Sequence, residues 1–295
     1  MNRSTPIRFR MMQRRNGRKC VVYPMQRKPK LGQNFLVSPT APRAIVDALG
    51  DLSLATVLEI GPGRGALTSL LAPRAKNVIA VELDATLAAS LKGSSVEVLC
   101  EDILEVDLTE LATERGVRLQ VIGNLPYYIS SPIMMHLFAH SAVIDRAVLM
   151  AQREVAERIV APPGSRTYGF LSATTQMYAR VEHLFTLPPE AFAPPPEVYS
   201  TVIRLTMHPR FEELAVEAEG FLRFLRQIFA LKRKTLANNL RASGYEAAVV
   251  ERAFSGCAID AQVRAEAVSL EAMACLFTAL VVPQLLETRM GEERA

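Results

Sequence analysis

Short apolar runs alternate with amphipathic stretches through the first two-thirds of the chain. Thr56 to Ile60, Asn77 to Val81, Val96 to Cys100, Arg118 to Ile122 and Ala147 to Met150 are runs of four or five mostly aliphatic residues. Runs of that length without strict alternation are what strands buried on both faces require. Between them the apolar spacing turns helical. Ala41 to Leu49 carries Ala44, Ile45 and Ala48 on one side and ends at Gly50, and Ile129 to Phe138, Arg153 to Val160 and Leu171 to Tyr178 have similar spacing. Strand and helix in alternation predict an α/β domain with a parallel sheet. A further strand is expected from Ser200 to Thr206. After Arg210 the pattern changes: Phe221 to Leu240 predicts one amphipathic basic helix with Arg223, Arg226, Lys232, Arg233 and Lys234, and the remainder is helical with a turn near Gly256. The expected division is a basic tail without regular structure (1–29), an α/β domain (30–210) and a small all-helical domain (211–295).

The predicted strands end on polar residues. Thr56 to Ile60 carries Glu59 and runs into Gly61-Pro-Gly63-Arg64-Gly65, and the next strands end at Glu82, Asp102 and Asn124. Open α/β sheets bind ligands at that edge, and glycines let backbone N–H groups approach a guest closely. Gly61, Gly63 and Ala66 also satisfy a dinucleotide fingerprint. Glu59, however, would repel a pyrophosphate and suits a cation or amine, and the loop around Arg64 fits an amino acid and a sugar. Glu82 lies 21 residues after Gly61, near the ~20 expected of a carboxylate on ribose hydroxyls. Asp102 is placed to accept from an adenine amino group, with Ile103 as the apolar contact. Any one of these acids also reads as a solvated strand end.

Gly123-Asn124-Leu125-Pro126-Tyr127-Tyr128 follows the fourth strand. The Asn124 side-chain carbonyl and an adjacent backbone carbonyl are acceptors, and Pro126 removes a donor. The natural guest is an amino group on a planar heterocycle, stacked on Tyr127. Prolines between Leu187 and Val198 make Phe192 a candidate second ring opposite Tyr127. The alternatives are an ordinary Asn/Pro turn on two core tyrosines and a hydrophobic plug beneath a proline loop.

Charge sharpens this picture. Ten of the 34 basic residues lie in positions 1 to 30, which contain no acid, leaving 24 basic against 30 acidic residues in the rest, a net of −6. A polyanion must then be held by the tail and by local patches. The tail reads as a disordered extension preceding a later start at Met11, Met12 or Met25, or as an acid-free organellar transit peptide. The apolar run Cys275 to Val282 is stopped by Pro283, short of the ~20 residues a membrane helix needs. Cys20, Cys100, Cys257 and Cys275 show no zinc-type spacing and predict reduced thiols, with no metal and no disulfide. The four histidines are scattered, and a structural role is expected for them.

From about Lys30 to Leu280 the chain resembles the ribosomal RNA adenine dimethyltransferase family. The resemblance is carried by Leu31-Gly-Gln-Asn-Phe-Leu36, Glu59-Ile-Gly-Pro-Gly63, the Glu82 and Asp102 strand ends, Asn124-Leu-Pro-Tyr127, Phe192-Ala-Pro-Pro-Pro-Glu-Val198, Arg233 to Leu240 and Val263 to Leu270. It implies a Rossmann-like sheet that binds S-adenosylmethionine and a helical domain that contacts RNA. The implied activity is dimethylation of N6 of two adjacent adenines near the 3′ end of 16S rRNA, on a small-subunit precursor, by a cytoplasmic monomer. Carried over, Asn34 and Leu36 close over the cofactor, Glu59, Gly61 and Gly63 approach it, Glu82 holds ribose, and Asp102 with Ile103 meets adenine. Asn124 lies where cofactor and target amine converge, and with Leu125, Pro126, Tyr127 and Phe192 it surrounds the target base. Tyr128 stands where many members have Asn, and Arg64-Gly65 varies within the glycine loop. Rival readings are the 23S rRNA methylase of macrolide resistance, an RNA-binding factor that keeps the fold without chemistry, and a nicotinamide-linked dehydrogenase.

Overall fold

The computed structural model describes residues 10–13, 19–22, 34–91 and 95–292, which fall into two units, Met1–Asn34 and Phe35–Ala295. In the first unit Arg10–Gln13 and Lys19–Val22 pair antiparallel, Arg10 opposite Val22, so the tail expected to lack regular structure contains a two-stranded ribbon. Lys30 to Gln33, where the chain begins its family resemblance, lie outside the described residues.

In the second unit seven strands form one sheet. They are β1 Thr56–Ile60, β2 Asn77–Val81, β3 Glu97–Leu99, β4 Leu119–Asn124, β5 Ile144–Gln152, β6 Ala179–Leu187 and β7 Ser200–Met207. Their spatial order is β3-β2-β1-β4-β5-β7-β6. β1 to β5 are parallel, and β7 runs antiparallel to both β5 and β6. The chain therefore steps outward from β1 to β3, returns to β4, and leaves a topological switch point between β1 and β4. Ligands bind such sheets at that crevice. β6 was not foreseen, because Arg180, Glu182 and His183 interrupt its apolar pattern, as suits the sheet's edge.

The helices are α1 Ala41–Asp47, α2 Thr68–Leu71, α3 Ala85–Ser90, α4 Leu108–Arg115, α5 Ser130–Ala139, α6 Arg153–Val160, α7 Phe170–Tyr178, α8 Ala218–Ile228, α9 Leu236–Ala242, α10 Ala247–Gly256 and α11 Leu270–Glu292. Asp84 and Asp107 cap α3 and α4, each carboxylate accepting two backbone N–H groups of the first turn, which satisfies donors a helix start leaves orphaned.

Alternate residues of each central strand serve opposite cores. Val57, Val78, Ile122, Val148 and Val202 pack with Ile45, Leu49 and Leu71 on one side. Leu58, Ile79, Val121, Leu149 and Ile203 pack on the other with Leu137 and Phe138, in a cluster continuous with Phe221, Phe224 and Phe277. Residues after 211 thus share one core with the sheet.

Two expectations for the C-terminal helices are corrected. The single basic helix over 221–240 is two helices, broken between Ile228 and Leu236. Asn239, buried on α9, accepts the Leu231 N–H at 2.8 Å and donates to the Leu231 and Thr235 carbonyls, while Thr235 caps α9 through the Asn238 N–H. Lys232, Arg233 and Lys234 consequently lie exposed in the bend. Cys257 and Cys275, expected to be free thiols, form a disulfide with Cα atoms 5.9 Å apart. They are 18 residues apart in sequence, so only the packing of α10 on α11 brings them together. Cys100 is free and exposed. Among the described residues no helix is long and apolar enough to cross a membrane, and no cluster of His, Cys, Asp and Glu could hold a metal ion.

Candidate active site

Because β1 to β5 are parallel, their carboxyl ends deliver Glu59, Glu82, Asp102 and Asn124 to one edge of the sheet. β1 leads into the glycine loop. Gly61 has φ +63 and donates its N–H to the Val81 carbonyl at 2.9 Å, and a Cβ there would meet nothing within 4 Å. A side chain would be strained at that φ and would occupy open space beside the switch point. Gly63 is closer packed, the Phe35 ring lying 3.1 Å from where its Cβ would stand, and the Arg64 guanidinium covers that ring at 4.3 Å.

Glu82 braces this loop. One carboxylate oxygen accepts the Gly63 N–H at 3.0 Å and the other the Asp84 N–H at 2.9 Å, so β2 fixes the conformation of the turn that follows β1. Each carboxylate oxygen has two lone pairs, which leaves acceptor capacity for a hydroxyl guest. Glu59 is enclosed at 1% exposure and accepts the Thr68 hydroxyl at 2.7 Å. Burial pushes its carboxyl up to about 7, partly offset by the Thr68 bond and reinforced by the charge of Glu82. The sequence placed Glu59 against a guest cation; the structure makes it a buried prop between β1 and α2.

Asp102 follows β3 and caps a short turn, Ile103–Glu105, by accepting the Leu104 N–H at 3.0 Å. Ile103, expected against a purine, is buried in the main core cluster. The Tyr128 phenol is held above its usual range first by burial and then by the Asp102 charge.

That loop is tightly built. Asn124 closes β4 opposite Met150 of β5, and the Leu125 N–H donates to the Met150 carbonyl at 3.0 Å. Pro126 starts a turn in which its carbonyl accepts the Ile129 N–H at 3.1 Å and the Ser130 hydroxyl at 3.0 Å. The Tyr127 hydroxyl shares a 2.6 Å hydrogen bond with the Ser200 hydroxyl at the start of β7. A Cβ on Gly123 would lie 2.9 Å from the Ile60 carbonyl, so the close approach of β4 to β1 demands glycine. Ser200 and Thr68 were given no role from sequence, and Gly123, named there as the start of the loop, was given no packing role.

Phe192 departs from expectation. It is 2% exposed, packed with Val57, Val148 and Val202, and is the plug beneath the proline loop rather than a second open ring. Phe192–Ala193 pairs antiparallel with Phe35–Leu36, Phe192 opposite Leu36, and the Ala191 carbonyl accepts the Val37 and Ser38 N–H groups. The segment around Leu36 and the proline segment therefore clasp each other. Asn34 ends the first unit.

Two acceptor carboxylates, a side-chain-free cradle and an asparagine three residues before a tyrosine anchored on Ser200 together suit a guest bearing hydroxyls and amino groups. Residues 25–280 match the ribosomal RNA adenine dimethylase family. The chain is 57% identical over 258 residues to the ribosomal RNA small subunit methyltransferase A of Acidobacterium capsulatum, covering 86% of this chain and 91% of the relative. It is 51% identical over 270 residues to that of Koribacter versatilis, covering 86% and 94%. A dimethyladenosine transferase from Plasmodium falciparum superposes with TM-score 0.68 at 25% identity, over 82% of this chain and 95% of that one. The 23S rRNA methyltransferase ErmE shares the fold with TM-score 0.63 at 24% identity, over 84% and 99%.

Proposed function

Because the chain belongs to the ribosomal RNA adenine dimethylase family, we propose that it methylates N6 of two adjacent adenines near the 3′ end of 16S rRNA, using S-adenosylmethionine, on a small-subunit precursor in the cytoplasm. The observation that carries this reading is that parallel strands bring the ends bearing Glu82, Asp102 and Asn124 to the same edge of the sheet as the glycine loop, whose Gly63 N–H is held by Glu82. Identity of 57% to a small-subunit enzyme supports 16S over 23S rRNA. The exposed Lys232–Lys234 bend supports RNA contact by the helical part.

The residues fit the cofactor: the space beside Gly61 admits its amino-acid and sulfonium end, the spare lone pairs of Glu82 take ribose hydroxyls, and Asp102 takes the adenine amino group. When bound, S-adenosylmethionine supplies a methyl group made electrophilic by positive sulfur. The chain's own residues do the rest. An adenine N6 lone pair is delocalised into its ring and is a weak nucleophile. Asn124 Oδ1 and the Leu125 carbonyl accept the N6 hydrogens, favouring a pyramidal nitrogen whose lone pair is free to attack. Tyr127, fixed by Ser200, holds the ring face. Rate enhancement then comes from positioning and preorganised acceptors, and the N6 proton leaves to water once alkylation has made it acidic.

Immature small and large ribosomal subunits incubated with the protein and tritiated S-adenosylmethionine test this reading. Label is expected on two adjacent adenines near the 3′ end of 16S rRNA. Label confined to 23S rRNA, or none, overturns it.

A further inference from the structure

One aromatic feature at this edge has no part in the reaction. Tyr199 immediately precedes β7, and its carbonyl accepts the Arg153 N–H at 2.9 Å, joining the start of α6 to the start of β7. The Arg153 guanidinium lies over the Tyr199 ring, 5.1 Å from its centroid. Glu157, one turn along α6, stands 3.6 Å from Arg153 Nε and steadies the cation. Despite that cover Tyr199 is 44% exposed; its neighbour Val198 is 42% exposed, and Tyr128 in the loop after β4 is 47% exposed.

The ladder fixes where this pair sits. Ser200 is opposite Gln152, and Asn124 is opposite Met150. Ser200 also anchors the Tyr127 hydroxyl. Tyr199 is therefore one residue from the anchor of the ring assigned to the target base, on the same edge of the sheet. An exposed ring stacks any nucleobase, and a guanidinium matches a phosphate in geometry and charge. Beyond residue 30 the chain is net negative, so that part of it can hold RNA only through local cations of this kind.

We propose that Tyr199 and Arg153 form a subsite for the nucleotide next to the target adenine in single-stranded RNA, the ring taking its base and the guanidinium its phosphate. This rests on the methyl-transfer reading above for the identity of the neighbouring base. Nothing in the reaction itself requires either side chain.

The test uses full-length protein and an RNA oligonucleotide of the small-subunit 3′-end sequence, with 2-aminopurine beside the target adenine. Binding to the wild type is expected to quench the probe. Tyr199→Ala is expected to lose the quenching and to weaken binding roughly tenfold, while Tyr199→Phe retains both. Arg153→Ala should weaken binding and lower the salt dependence by about one charge. Cofactor affinity, measured on every variant, should match the wild type and report an intact fold. Quenching and affinity within about twofold of wild type in Tyr199→Ala overturn the subsite, as does wild-type protein that binds without quenching or does not bind. If instead the wild type binds the probe through Tyr199 yet labels no rRNA, the subsite stands and the methyl-transfer reading falls.

Discussion

At the carboxyl edge of the sheet the buried groups are polar: Glu59 on Thr68, Glu82 on the Gly63 and Asp84 amides, Ser200 on Tyr127. In α8 and α11 they are phenylalanine rings, Phe221 stacked at 6.2 Å on Phe224 and edge-on at 5.4 Å to Phe277. The first arrangement gives up apolar burial to hold acceptors in fixed places, and each buried polar group must then find a partner. The second holds nothing in particular and packs well. Since one apolar cluster runs through both regions, the helices supply cohesion to a sheet edge that spends its own interior on chemistry.

The comparison breaks most visibly at Phe221. Phe221→Ala should cost about 3–5 kcal/mol of stability, read by urea unfolding as one cooperative transition that shifts as a whole. Two separated transitions would mean that the helices fold apart from the sheet. The opposite signature belongs to Asn124: Asn124→Ala should lower single-turnover methyl transfer by roughly a hundred- to a thousandfold, about 3–4 kcal/mol, with urea midpoint and cofactor affinity nearly unchanged. Near-normal turnover would remove Asn124 from the reaction.

Glu59 sharpens the contrast by its pH dependence. In the folded chain its carboxyl keeps a proton up to about 7, against an ordinary value of 4.5 when unburied. The native state therefore binds the extra proton between those values, and stability falls as pH rises through that window, by roughly 3 kcal/mol once complete. Glu59→Gln, neutral throughout, should lack this decline. Equal slopes of unfolding free energy against pH in the two proteins would show that Glu59 is ionised in the folded state.

Much of the sheet was legible in the sequence, because strands covered on both faces must be unbroken apolar runs and Glu82, Asp102 and Asn124 punctuate them at the same end. The Arg153–Val160 helix matches its expected bounds. What was illegible depended on distant partners. Leu-Lys-Arg-Lys favours helix locally, and only the buried amide of Asn239 reaching back to Leu231 explains the break. Phe192 has the same composition around it whether its ring faces a guest or the core, and its burial follows from the strand it shares with Leu36. The Cys257–Cys275 bond depends on helix packing that spacing does not encode.

The pairing of Phe35–Leu36 with Phe192–Ala193 joins segments more than 150 residues apart through two rungs. Loop closure over that distance is entropically expensive and so few bonds repay it little. The expectation is a latch that forms after the central strands, whose amides should exchange with deuterium well before theirs.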